Sequence, residues 1–405
     1  MYKIEHLRSL VPALDQEIYG KKLIYFDNAA TSQRPQAVID LIDRMNNKVN
    51  ANIHRAIHRL SDEATQLYEE SREAVREFIN AQKRGEVIFT SGTTHSINLV
   101  ASSFAAKYLK KGDVILISEA EHHSNIVPWQ LACEKTGALL KVIPVDYHGR
   151  IEMSIYESLL DERVKLVSVA HISNILGVVN PVKKMIEVAH KYDIPVLIDG
   201  AQGIVHERVD VCDLDCDFYV FSGHKVYAAT GTGILYGKER WLEGMPPYMG
   251  GGDMVDTVTF EKTTYASLPL KFEAGTPNFV GASTFKPAFE YAKECRSKEV
   301  KDYEHDVKQY LYKELLSING LKLYGIDENK IPLFSFTVDG VHHSDIAQML
   351  DKFGVAVRSG LMCAEPLIRR FNEHGMVRVS LAPYNTKEEA ILFIDYLNRV
   401  INMLK

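Results

Sequence analysis

A lysine closes one of the most apolar runs in the chain. Phe218-Tyr219-Val220-Phe221 is followed by Ser222-Gly223-His224-Lys225, which reads as a buried strand with Lys225 just past its carboxyl end. Flanked by small and hydrogen-bonding residues instead of carboxylates, such an amine can lose its proton and attack a carbonyl. A second apolar run, Ile194-Pro195-Val196-Leu197-Ile198, ends in Asp199-Gly200-Ala201-Gln202. Open α/β sheets bind ligands at the carboxyl ends of their strands. Taken singly, these are a surface lysine and a strand-capping aspartate. At matching strand ends they form the pair that pyridoxal 5′-phosphate requires, a lysine for its aldehyde and an acid to keep its ring nitrogen protonated.

Other strand ends carry groups that fit the same ligand. The strand Glu86-Val87-Ile88-Phe89-Thr90 runs into Ser91-Gly92-Thr93-Thr94, after which Ile97, Val100, Ala101, Phe104 and Ala105 repeat at helical spacing. Free N–H groups and the helix dipole would make Thr93 and Thr94 an anion site, suited to the phosphate. Neither a Walker lysine nor a G-x-G-x-x-G pattern is present, so nucleotide binding is not indicated. Glu121-His122-His123-Ser124-Asn125 follows another strand and offers an imidazole to stack on a ring or move protons. His171-Ile172-Ser173-Asn174 offers an amide to a phenolic oxygen. Further on, Arg358-Ser359-Gly360-Leu361-Met362-Cys363-Ala364-Glu365-Pro366 reads as a strand leading into a loop that carries an accessible cysteine, whose thiolate Arg358 would favour. Arg378 has the planar fork that clamps a carboxylate at two points. His54 and His58 have zinc-protease spacing, but Arg55 stands where the glutamate belongs. Cys212 and Cys216 among aspartates fit no common metal template, and no metal site is expected.

The elements that position these groups alternate along the chain. Strands at 114–117, 139–145, 166–170, 196–198, 218–221 and 233–236 are separated at several points by helical patterns, which predicts an α/β fold with a mostly parallel sheet. Ser61 is a candidate N-cap for a helix ending near Asn80, with Ala64, Leu67, Ser71, Ala74, Val75 and Phe78 on its apolar face. The stretch from Gly250 to Asn278 reads as a long excursion bordering the pocket. Past about residue 291 the pattern becomes that of a smaller α+β domain. The division expected is an N-terminal arm, 1–21, a large domain, 22–290, and a small C-terminal domain, 291–405, that carries the Cys363 loop. A chain of 405 residues, 46% of them hydrophobic, can build two such cores. A net charge of −6 without basic runs argues against nucleic acid, and no apolar stretch approaches the ~18 residues of a membrane span. Five cysteines without a C-x-x-C pair, and no signal-peptide pattern, suggest a reduced, cytoplasmic protein.

These residues resemble a known family. Asp27-Asn28-Ala29-Ala30, Gly92-Thr93-Thr94, the stretch Glu121 to Trp129, Asp199-Gly200-Ala201-Gln202, the stretch Asp215 to Lys225, Phe272 to Asn278 and the Cys363 loop are similar to those of group II cysteine desulfurases. That group is the SufS type, related to selenocysteine lyases, within the class V aminotransferases of fold type I. The resemblance covers nearly the whole chain. It implies a pyridoxal phosphate transferase fold, and an enzyme that takes sulfur from L-cysteine, or selenium from L-selenocysteine, and leaves L-alanine. Lys225 would hold the aldehyde, Asp199 the pyridine nitrogen, and His122 would stack on the ring. Gln202 and Asn174 would hold the phenolic oxygen and substrate. Thr94, Ser222 and His224 would bind phosphate, joined by Thr276 from the second subunit of a homodimer. Arg378 would take the substrate carboxylate with Arg358 beside it. Cys363 would accept sulfur and pass it to a protein of the SufE or SufU type for iron–sulfur assembly. Two other readings share these residues: a class V transaminase or lyase, which would not need Cys363, and a non-enzymatic sulfur relay, which would not need Lys225. The chain departs from many relatives in having Leu361-Met362 before the cysteine instead of a histidine pair, and Ala228-Ala229 where they carry glycine and proline.

Overall fold

The computed structural model describes residues 2–55 and 57–405. Its centre is a seven-stranded sheet in the order Val87–Thr90, Gly233–Gly237, Phe218–Ser222, Val196–Asp199, Val164–Ala170, Val114–Ser118, Leu139–Ile143. Gly233–Gly237 runs antiparallel to both neighbours, and the other strand pairs are parallel. Most of these strands are buried on both faces, which is why they read as continuous apolar runs. The parallel strands therefore deliver the residues that follow them to one edge.

A second sheet of four antiparallel strands, Leu321–Tyr324, Leu333–Val338, Met376–Ser380 and Arg358–Gly360, carries Arg358 and Arg378 on paired strands. Helices Lys298–Ser317, His343–Lys352 and Lys387–Leu404 pack on it through Leu311, Leu350, Phe393 and Leu397. Ile24–Tyr25 pairs in parallel with Val355–Ala356, and Ile24 and Phe26 join this same apolar cluster. The chain thus passes through the small-sheet layer before it enters the large one, and Asp27 arrives beside Arg378.

Local expectations differ from the structure in three places. The helix Arg59–Phe78 begins two residues before Ser61, because His58 Nδ1 accepts the Ser61 N–H at 3.3 Å and takes the capping position. Its buried face includes Tyr68 and Arg72, with Leu67 only half-buried, because Arg72 forms a buried ion pair with Glu273 at 2.7 Å. The excursion through Asn278 contains a hairpin, Val255–Val258 with Thr263–Tyr265. Met249, Ala274, Pro277 and Asn278 border a different cavity, beside Thr90 and His95.

Candidate active site

A cavity of about 240 Å³ opens where the carboxyl ends of the parallel strands face the small sheet. Thr93, Thr94, His122, Asn174, Asp199, Gln202, Ser222, His224, Lys225, Arg358, Cys363 and Arg378 all line it. Thr276 does not; it lies exposed on the segment next to the second cavity. The topology explains the convergence. Strand Phe218–Ser222 passes into the 3₁₀ turn Gly223–Lys225, and the adjacent strand ends at Asp199, so amine and carboxyl come from neighbouring parallel strands.

Burial sets the state of these groups. It lowers the Lys225 amine to about 8, against the pull of Asp199 and with help from Arg378, so roughly a tenth of it is neutral at pH 7. The Asp199 carboxyl is raised by the same desolvation, opposed by the Ala201 N–H that it accepts at 2.9 Å and by Lys225. It is therefore a carboxyl that gains from pairing with a cation. His122, whose Nδ1 accepts the Ser124 N–H at 3.0 Å, is held neutral down to about 3 by burial and by Lys225. His224 is likewise lowered to about 4 by burial, Lys225 and Arg34.

The corner of the cavity at the amino terminus of the helix Thr93–Tyr108 is built by close backbone approach. Gly92 precedes the helix Thr93–Tyr108 with φ of 148°, and a Cβ on Gly233 would lie 2.4 Å from the Gly92 Cα. Ser222 Oγ accepts the Thr93 N–H and pairs with Thr93 Oγ1, both at 2.8 Å, while Thr94 Oγ1 meets Ser124 Oγ at 2.7 Å. Gln202 Nε2 donates to the Ala29 carbonyl at 2.9 Å. A helix amino terminus rimmed by hydroxyls, a half-buried lysine and a desolvated carboxyl fit the phosphate, aldehyde and ring nitrogen of pyridoxal 5′-phosphate.

On the facing side, Arg378 is 3% exposed and donates from Nη1 to the Asn174 carbonyl at 2.9 Å and from Nη2 to Asp27 Oδ1 at 3.2 Å. Its Nε is buried without a partner. Arg358 Nη1 stands 3.7 Å from the other Asp27 oxygen. Cys363 is exposed on the cavity rim. Its loop is held from the large sheet, since Asn174 Nδ2 donates to the Met362 carbonyl at 3.0 Å and the His123 N–H donates to the Cys363 carbonyl at 2.7 Å.

Sequence reasoning assigned no role to Asp27 or Glu121. Asp27 stands in a recognised motif, but its arginine partners lie more than 300 residues away along the chain. Glu121 is fully buried, raised to about 7 by desolvation, and accepts from Ser118 Oγ, Asn125 Nδ2 and the Ala170 N–H. Its place after a strand was the only available signal.

An amine and a carboxyl at adjacent parallel strand ends, under a phosphate-type helix terminus, define a lysine-dependent carbonyl-cofactor site. The Aminotransferase class-V family model matches residues 24–393, and the chain belongs to that family. A probable cysteine desulfurase of Vibrio cholerae is 45% identical over 404 residues, covering 100% of both chains. Two solved structures are similar. The cysteine desulfurase CsdA of Escherichia coli, in its S-sulfonic acid form, has TM-score 0.92 and 34% identity, covering 99% of each chain. The apo cysteine desulfurase of Thermococcus onnurineus has TM-score 0.93 and 35% identity, covering 99% of this chain and 98% of that one. Among the described residues, no helix is long and apolar enough to cross a membrane.

Proposed function

We propose that this chain is a cytoplasmic, pyridoxal 5′-phosphate-dependent cysteine desulfurase in which Cys363 accepts the sulfur. The observation that carries the reading is that Cys363 and Lys225 line one cavity although they come from different sheets. Lys225, Asp199, His122 and Gln202 would hold the cofactor's aldehyde, ring and phenolic edge, and Thr93, Thr94, Ser222 and His224 its phosphate. Thr276 would be supplied by the second subunit of a homodimer. Pyridoxal 5′-phosphate, when bound, supplies the electron sink that makes a Cα–H acidic and a Cβ–S bond labile.

The chain's own residues do the remainder. Arg378, with its unpartnered Nε, binds the substrate carboxylate. Asn174 fixes the Cys363 loop from one side and the arginine from the other. Lys225, neutral in part because it is buried, takes the Cα proton and returns a proton to carbon. Cys363 attacks the substrate sulfur as a thiolate. An S–S bond forms as the Cβ–S bond breaks, the electron pair stays with the carbon skeleton, and two protons complete L-alanine. The product on the protein is a Cys363 persulfide, which a SufE- or SufU-type acceptor would discharge toward iron–sulfur assembly. L-Selenocysteine presents the same carboxylate and amine, and selenide is the better leaving group.

The deciding experiment follows alanine and sulfide from L-cysteine, and alanine and selenide from L-selenocysteine, in wild type and Cys363→Ser. Mass spectrometry of cysteine-treated wild type should place one extra sulfur on the Cys363 peptide. Cys363→Ser should keep the cofactor's visible absorbance and its change on adding cysteine, form no persulfide, and retain selenide release. Extra sulfur on Cys133, Cys212, Cys216 or Cys295, or wild-type sulfide release by Cys363→Ser, sinks the assignment.

A further inference from the structure

The Cys363 loop is strained, and the helix that follows it lacks a side-chain cap of its own. Met362 and Cys363 both have positive φ, 46° and 56°, a conformation that side chains of this kind rarely adopt and that persists only when the surroundings over-determine it. The loop ends in the short helix Glu365–Arg370, whose N-cap position is Ala364, a residue with no side-chain acceptor. The missing acceptor comes from the other sheet. His123 Nε2 accepts the Glu365 N–H at 3.1 Å, while the His123 main-chain N–H donates to the Cys363 carbonyl at 2.7 Å. One residue thus grips the loop on both sides of Ala364, and its ring must be an unprotonated acceptor at Nε2 to do so.

The neighbour of His123 in sequence, His122, lines the cofactor cavity, and the two share the turn that starts at the end of Val114–Ser118. The loop has other ties: the Ala364 N–H donates to the Leu361 carbonyl at 3.0 Å, and Ala364 is buried in the large apolar core. Asn174 holds the Met362 carbonyl, and the Met362 side chain, 9% exposed, packs into the large apolar core. His123 thus supplies both a hydrogen bond to the Cys363 carbonyl and the only side-chain hydrogen bond to the Glu365 N–H among the described residues.

We propose that His123 is a positioning residue for sulfur transfer: its ring caps the helix after Cys363 in trans and keeps the thiol's loop in its strained, cavity-facing conformation. The proposal rests on Cys363 being the sulfur acceptor, and it adds the device that holds the acceptor in reach. Removing the ring should leave the steps at Lys225 intact and slow only the arrival of sulfur on Cys363.

The test uses full-length, cofactor-loaded protein as wild type, His123→Ala and His123→Asn, the last because its amide oxygen can still accept the Glu365 N–H. Hydrogen exchange of peptides spanning 361–368 should quicken by about tenfold in His123→Ala, the consequence of one lost half-buried hydrogen bond. Single-turnover sulfur loading of Cys363 should slow by about tenfold or more, while the cysteine-induced spectral change and KM stay within about twofold. His123→Asn should recover much of both losses. Wild-type exchange and loading in His123→Ala would overturn the proposal, as would an Asn variant no better than Ala. Parallel loss of the spectral change would also overturn it, by assigning His123 to the cofactor instead. If wild type itself loads no sulfur on Cys363, the desulfurase assignment fails, and the exchange measurement still decides whether His123 holds the loop.

Discussion

Arg378 gives its Nη2 hydrogen to Asp27 Oδ1 at 3.2 Å and keeps its buried Nε free. The two residues come from opposite ends of the chain, and the Asp27 carboxylate fixes one edge of the guanidinium as the Asn174 carbonyl fixes another. Those two contacts set the orientation of the fork that Arg378 brings to the cavity that also holds Lys225. A cation already neutralised on one side accepts a second carboxylate at less electrostatic gain than a bare one, but in a fixed direction. Asp27 is thus a group that orients the Arg378 fork. Burial raises its carboxyl, with Arg378 and Arg358 opposing.

Arg378→Lys should retain the charge and lose the fork. One charge-assisted hydrogen bond is worth ~1.5–3 kcal/mol, so KM for L-cysteine should rise roughly ten- to a hundredfold with kcat changed far less. Steady-state kinetics decide it, and an unchanged KM removes Arg378 from carboxylate binding.

A buried polar network stands at the opposite edge of the sheet. Asp217, just before Phe218, is buried, and accepts from His190 Nε2, Arg240 Nη2 and Trp241 Nε1 at 2.8 Å each and from the Val196 N–H at 2.9 Å. Desolvation pushes its carboxyl up, but His190, Lys238, Arg240 and the Val196 amide together hold it down at about 2. A depressed carboxyl stabilises the fold fully above its unfolded value near 3.8, and that contribution disappears as pH falls through about 2. Asp217→Asn should therefore melt several degrees below wild type at pH 7, a loss of ~2–4 kcal/mol, with the gap closing toward pH 2. Activity per folded molecule should be unchanged, since the network lies at the far end of the strand from Lys225. Equal melting curves at pH 7 would discount the network.

The sequence made Lys225, Asp199, Thr93 and His122 legible because each follows an apolar run, and parallel strands bring the residues that follow such runs to one edge. It could not show what reaches them from far along the chain. The pairing of Arg72 with Glu273 spans 201 residues, and that of His123 with Glu365 spans 242. The Leu361-Met362 pair looked like an absence of histidines before a reactive cysteine. In the structure it has a packing role, since Met362 is buried in the main core and Leu361 packs partly against it. The cavity also puts Lys225 and Arg378 around Cys363, where local sequence offered Arg358 alone. His58, not Ser61, caps the helix that follows, because an imidazole nitrogen can accept an N–H as a hydroxyl does, a habit that capping preferences underweight.

Thr276 is exposed and outside the cavity of its own chain. If it completes the phosphate corner of a neighbouring subunit, two inactive chains can share one good site. Mixed and refolded Lys225→Ala and Thr276→Asp proteins should regain part of the wild-type activity, roughly a quarter at equal mixing by random pairing, although neither is active alone. Activity that does not recover on mixing, or full activity in a sedimentation-verified monomer, would exclude the shared site.

The burial that lowers the Lys225 amine also carries a stability cost. Burial lowers its amine from 10.5 to about 8, with Asp199 opposing and Arg378 assisting, so in cofactor-free protein below pH 8 the fold must hold a desolvated ammonium. The unfolded chain binds that proton up to 10.5, and the folded chain releases it near 8. Unfolding free energy should therefore rise with pH between those two values and carry the full penalty below them. The shift corresponds to at most ~3 kcal/mol. Lys225→Met, which fills similar volume without a charge, should make the cofactor-free protein more stable than cofactor-free wild type at pH 7. The advantage should shrink steadily from pH 8 to 10.5 as wild-type Lys225 becomes neutral. Calorimetric or denaturant midpoints across that range, each paired with the variant at the same pH, measure it. A Lys225→Met protein no more stable than wild type at pH 7, or a difference that grows with pH, would mean that Lys225 is not held as a desolvated amine before the cofactor binds.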